Sequence, residues 1–263
     1  MAVLLAAIDD SAAARPVLET AARLGPVFDA TPVAVHVAED GSGATARAVC
    51  EAAHVPLRLR RGDVCTRLVE LAGAGEVVAV VAGARRLPLG ATPAGHVAMR
   101  LIEEVGKPVV VVPPAPRASR PLRRVLAPLD DDPATCAALR PLLARLIERT
   151  PAEIVVAHVF EPGRLPPYAD QPAHETEAWA AQFVERCLPG VDGKARVEVR
   201  VGLAPDAVPA VVDDADPDLV VVAWHQDLAA GRARVVRTLL ARAGAPLLLV
   251  PAPAVAHPQV RSA

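Results

Sequence analysis

Three acidic clusters, Asp9-Asp10, Asp130-Asp131-Asp132 and Asp213-Asp214, are the first candidates for chemistry in this chain. Neighbouring carboxylates can hold a metal ion, but aspartate at a helix start more commonly caps the free N–H groups and meets the positive end of the dipole. Capping is the expectation here, with Asp9 and Asp130 set apart because each closes an apolar run that reads as a first strand. His36 and His158 stand at equivalent places in two further apolar runs, and acid–base work would need a partner acid that the sequence does not supply. They are expected to be neutral, hydrogen-bonded interior residues. Cys50, Cys65, Cys136 and Cys187 lack C-x-x-C spacing and read as reduced helix residues without a metal. No Walker lysine motif, G-x-S-x-G elbow or H-E-x-x-H pair occurs, so the chain is not expected to be an enzyme.

The elements that would position a site are clearest between Val77 and Pro113. Val77–Val81 is a β-branched run broken only by Ala79, which suits a strand covered on both faces. Val97, Leu101 and Ile102 return at helical spacing opposite Arg100, Glu103 and Glu104, and Gly106 ends that helix before Pro108 opens a second strand, PVVVVP. The loop bracketed by Gly83 and Gly95 then leaves the carboxyl edge of a parallel sheet, where open α/β folds bind ligands.

This unit is written twice. VLLAAIDDS (Val3 to Ser11) matches RVLAPLDDD (Arg124 to Asp132), PVAVHVAE (Pro32 to Glu39) matches EIVVAHVFE (Glu153 to Glu161), and VPLRLRRGD matches ARVEVRVGL, two alternating runs with the character of sheet edges. EVVAVVAG (Glu76 to Gly83) pairs with DLVVVAWH (Asp218 to His225), and PVVVVP with PLLLVP. Helices are expected over Ala12–Leu24 and Pro133–Glu148, the latter bent or split by Pro141. The fold class is therefore α/β: two tandem open parallel five-stranded sheets with helices on both faces, preferred over a single ten-stranded sheet. The expected boundaries are 1–113 for the first domain, a Pro- and Arg-rich linker at 114–123, 124–252 for the second domain and a tail at 253–263.

Composition narrows the class. In 263 residues, 52% are hydrophobic and 22% charged, enough for a packed core, and the net charge of −2 advertises no nucleic-acid surface. No apolar run approaches the length of a membrane span, and the apolar start meets Asp9 too early for a secretion signal, so a cytoplasmic protein is expected. Pairing of the two halves is expected through the last strands, Val109–Val112 and Leu247–Val250, whose edges would otherwise be exposed apolar templates. Homodimerisation is left open.

The ordered pattern, above all VVAG…GHVAMRLIEEVGKPVVVVP, resembles a universal stress protein domain, and the second half resembles the same domain. The chain is similar to a tandem universal stress protein, which implies the Rossmann-like fold of the adenine-nucleotide alpha-hydrolases. In the nucleotide-binding branch of that family, the loop after the fourth strand carries Gly, two residues, Gly, nine residues, Gly, then Ser or Thr. Its backbone N–H groups and the next helix start receive the phosphates. Gly83 and Gly95 fit the outer glycines; Arg86 takes the middle position, the loop is one residue short, and His96 replaces Ser or Thr. The resemblance implies a site from Ile8 and Asp9 after the first strand, Val37 after the second-strand histidine, Ala82, Gly83 and Arg86 after the fourth, and Gly95, His96 and Val97 at the helix start. Arg85, Arg86 and His96 could offer cationic or donor groups to a phosphate. ATP or a related adenine nucleotide is the expected ligand of the first half. None is expected in the second, where Ala223, Trp224, His225 and Gln226 replace the opening glycine loop and Ala233 and Arg234 the Gly-Ser position. The function implied is a stress-response binding or signalling module. The alternative is a nucleotide-free interaction or scaffold protein with degenerate pockets.

Overall fold

The computed structural model describes residues 1–11, 13–38, 42–84, 94–114, 121–161, 173–189, 195–229, 231–242 and 244–253. Much of the expected linker and tail, and Arg85 and Arg86, lie outside the described residues. The first half runs β1 (Val3–Ile8), α1 (Ala14–Phe28), β2 (Thr31–Ala38), α2 (Ala44–Ala52), β3 (Leu57–Arg61), α3 (Val64–Gly73), β4 (Val77–Gly83), α4 (His96–Glu104) and β5 (Val109–Val112). The second half repeats the order as β6 (Arg124–Pro128), α5 (Pro133–Arg149), β7 (Glu153–Phe160), α6 (Ala173–Cys187), β8 (Ala195–Val201), α7 (Ala204–Ala215), β9 (Leu219–Trp224), α8 (Arg234–Arg242) and β10 (Leu247–Pro251).

Each half is a five-stranded parallel unit of order 3-2-1-4-5, and the two are joined edge to edge into one ten-stranded sheet, β3-β2-β1-β4-β5-β10-β9-β6-β7-β8. The sequence pattern favours two separate five-stranded sheets over a single ten-stranded one; the two five-stranded units are present but are joined in one sheet, because β5 and β10 pair antiparallel, with Leu248 opposite Val110. Both strands are buried along nearly their whole length, so neither edge is left open. The outer edges are β3, LRLRR, and β8, where Arg200 pairs with Glu198 and with Asp214. Charge there discourages further strand addition.

Helices cover both faces. Buried side chains of α1, α2, α5 and α6 form one continuous core on one face. Those of α3, α4, α7 and α8 form another on the opposite face. Each core runs through both halves, and α1 packs on α5 across the join.

Two helix boundaries differ from expectation. α1 continues through Gly25 and Pro26 to Phe28 and stops at Asp29, whose φ of 50° is left-handed. α5 is not split at Pro141: Asp132 caps its start, Pro133 opens it, and buried Leu139, Leu142, Leu143 and Leu146 hold it against the sheet on both sides of the proline. Packing of that apolar stripe offsets the missing N–H. The register also corrects the repeat. Val80 lies opposite Val109 and Val220 opposite Leu247, so Gly83 corresponds to Ala223, two residues from the match of EVVAVVAG with DLVVVAWH.

Candidate functional site

The order of strands reverses between β1 and β4, and the carboxyl ends of such neighbouring strands diverge to leave a crevice. A cavity of about 380 Å³ opens there in the first half, within the size range of small-molecule sites. All the residues expected for the site except Arg86, which lies outside the described residues, line it: Ile8, Asp9, Val37, Ala82, Gly83, Gly95, His96 and Val97. Residues 82 and 95 are brought together because β4 delivers one and the start of α4 the other.

The wall is mostly apolar, from Ala7, Val17, Leu68 and Val112 among others. Sequence reasoning missed Val17 on α1, Val64 and Leu68 on α3, and Val112 and Pro113 at the end of β5. Their apolar periodicity marks a buried face without saying that the face ends at a cavity. α3 is held in place by Asp63, which accepts a hydrogen bond from the Thr66 N–H at 2.8 Å. That bond chiefly holds the Asp63 carboxyl below the usual carboxylate range.

Polar groups converge at two ends. Asp9 accepts a hydrogen bond from the Ser11 hydroxyl at 2.6 Å. Its neighbour Asp10 turns away and caps α2 by accepting from the Ala46 N–H at 2.7 Å. At the other end Ala94 and Gly95 both take positive φ, 65° and 83°, a tight turn that presents the start of α4 to the cavity. The Met99 N–H bonds back to Gly95 O, so the earlier N–H groups of His96, Val97 and Ala98 precede the internal ladder of the helix. Such a start favours an anion.

His36 and His158 have matching structural roles. Each Nδ1 faces a main-chain carbonyl of the adjacent strand, Ile8 at 3.1 Å and Leu129 at 2.9 Å. A carbonyl only accepts, so Nδ1 carries the proton. His158 is packed among Phe160, Trp179 and Phe183, and burial pushes its pKa below the ordinary histidine value.

The carboxyl edge of the second half is arranged differently. Asp130 accepts from the Thr135 hydroxyl at 2.5 Å, and His225 Nε2 lies 3.0 Å from Asp132 Oδ2, bridging the end of β9 to the start of α5. Ala233, with φ 48°, stands before α8 where Gly95 stands before α4. Among the described residues no group of His, Cys, Asp or Glu could hold a metal ion, and no helix is long and apolar enough to cross a membrane. The four cysteines are free, and all are in helices as expected.

The model of the universal stress protein family matches residues 121–251, and the second half of the chain belongs to that family. A universal stress protein from Archaeoglobus fulgidus DSM 4304 is 16% identical and superposes with a TM-score of 0.64, covering 95% of this chain and 96% of its own. A functionally unknown protein from Pseudomonas aeruginosa PAO1 is 13% identical, with a TM-score of 0.65 over 95% of this chain and 92% of its own. At these identities the likeness establishes the fold: α/β, with a mostly parallel sheet covered by helices on both faces. None of the curated proteins matches the chain in sequence.

Proposed function

We propose that this protein is a stress-response binding module whose first half, residues 1–113, takes ATP or a related adenine nucleotide, while the second, residues 124–252, takes none. The observation that carries the reading is the cavity itself, in which Asp9, Val37, Gly83 and Gly95 meet although they come from four separate elements. An acceptor at one end suits ribose hydroxyls or a base amine. The N–H groups of the helix start at the other end, with His96 beside them, suit phosphates. The apolar walls suit the faces of a purine.

Isothermal titration with ATP tests the reading. Micromolar binding at one site per chain is expected, lost in Asp9→Ala and in Gly95→Trp, the latter placing a large side chain where φ is 83°. Silence up to millimolar ATP would favour a nucleotide-free interaction protein instead.

A further inference from the structure

Gln226 lies in the second half, directly after the His225 bridge, and takes a left-handed φ of 53°. Its side-chain Nε2 donates to two carbonyl oxygens of the first half, Ile102 at 3.1 Å and Val105 at 2.9 Å. Both acceptors are carbonyls, so only the amide nitrogen can face them, and its two N–H donors are both used. Ile102 O belongs to the last turn of α4, where a helix leaves its C=O groups without internal partners, and Val105 O to the residue that ends the helix. α4 has no basic residue in that turn, and Val105 after it is extended rather than left-handed. Its neighbour α3 is closed from within the same half, by Lys107 Nζ donating to Ala72 O at 2.8 Å and Ala74 O at 2.6 Å. α4 takes its closing donor from the other half of the chain.

The opposite end of α4 is the cavity wall, Gly95 to Ala98. A helix of nine residues is one rigid turn-on-turn unit about 13 Å long, so tilting it by about 5° at one end displaces the other by about 1 Å. We propose that Gln226 is a positioning residue for the first-half cavity: by holding the end of α4 it sets where the helix start meets the ligand. The loop that corresponds in the second half to the glycine loop thereby serves the site of the first. Occupancy of the cavity and the contact between the halves are then coupled, and by linkage each strengthens the other. The ligand arm of this proposal rests on the nucleotide reading above.

Two variants of the full chain separate hydrogen bonding from bulk. Gln226→Glu keeps the volume but sets an oxygen against two carbonyls, whereas Gln226→Lys restores a donor and suits the negative end of the helix. In ligand-free protein, amide hydrogen exchange across residues 96–106 is expected to quicken about five-fold or more in Gln226→Glu and to stay near wild type in Gln226→Lys. The ATP dissociation constant is expected to rise about five-fold or more in Gln226→Glu and to recover in Gln226→Lys. Unchanged exchange in Gln226→Glu overturns the positioning role. Faster exchange with unchanged ATP affinity overturns the coupling. If the wild type binds no ATP, the nucleotide reading fails by itself, and the exchange comparison still decides whether Gln226 positions α4.

Discussion

His225 Nε2 and the Asp132 carboxylate, 3.0 Å apart, span the carboxyl edge between β9 and β6, the counterpart of the edge between β4 and β1 that opens as a cavity in the first half. In the repeat, Asp132 occupies the place of Ser11, whose hydroxyl instead turns to Asp9. In the second half Asp132 both caps α5 and bridges to His225, whereas in the first half Asp10 caps α2 and Asp9 lines the cavity.

Asp132→Ser keeps an N-cap residue for α5 while removing the bridge. Ala233 still stands where a glycine would be needed, so ATP stoichiometry is expected to remain at one per chain, with affinity within about two-fold of wild type because the sites are distant. Titration calorimetry reads both. A second site appearing in this variant would mean that the bridge alone closes the second half.

His158 makes stability depend on pH. Its folded pKa is lowered, first by burial and also by Arg186, while the hydrogen bond to Leu129 O and the charges of Asp130 and Asp131 oppose the shift. Above the unfolded value of about 6.5 both states are neutral and there is no dependence. As pH falls below it the unfolded chain takes up a proton that the folded one refuses, so stability declines by up to about 1.4 kcal/mol per pH unit until the folded pKa is reached. His158→Asn, which keeps a donor near Leu129 O, is expected to flatten denaturant-derived stability between about pH 6.5 and 5 relative to wild type.

Gly43 and Gly73 should respond oppositely to alanine. A Cβ on Gly43 would sit 3.0 Å from His36 Cδ2 and 3.0 Å from Leu59 Cδ2, and the His36 ring is pinned by Ile8 O. Gly43→Ala is expected to cost about 1 to 3 kcal/mol. A Cβ on Gly73, in the last turn of α3, meets nothing within 4 Å, so Gly73→Ala is expected to gain up to about 1 kcal/mol. Urea titrations of the two variants give the sign directly.

The seam makes the halves a single unfolding unit. Leu248 is fully buried and pairs with Val110 across it, and both cores run through the join. Scanning calorimetry is expected to give one transition, and Leu248→Ala should move all of it by about 2 to 5 kcal/mol. Two resolved transitions, only one of them shifted, would contradict this.

Much of the architecture is legible in particular stretches. Val77–Val81 and Val109–Val112 read as buried strands because continuous β-branched runs suit a parallel sheet covered on both sides, and they are β4 and β5. Pro141 does not split α5, because a local rule about the missing N–H does not count the leucines that the helix buries around it. Pairing EVVAVVAG with DLVVVAWH end to end differs by two residues from the register that sets Gly83 against Ala223, because side chains alternate with period two. A shift of two keeps every apolar residue on its proper face, and only hydrogen-bonded register distinguishes the alignments. The family model matches the second half, while the cavity described above lies in the first.

From the sequence alone come the repeated alternation of strand and helix, and with it two parallel units whose first and fourth strands end at a binding edge, because apolar periodicity and chain handedness are local properties. The folded molecule alone decides that β5 meets β10, that Val17 and Leu68 wall the cavity beside Asp9, and that Gln226 reaches α4 from the other half. Those outcomes depend on contacts between residues far apart in the chain, where burial and hydrogen-bond geometry act only once the elements have packed.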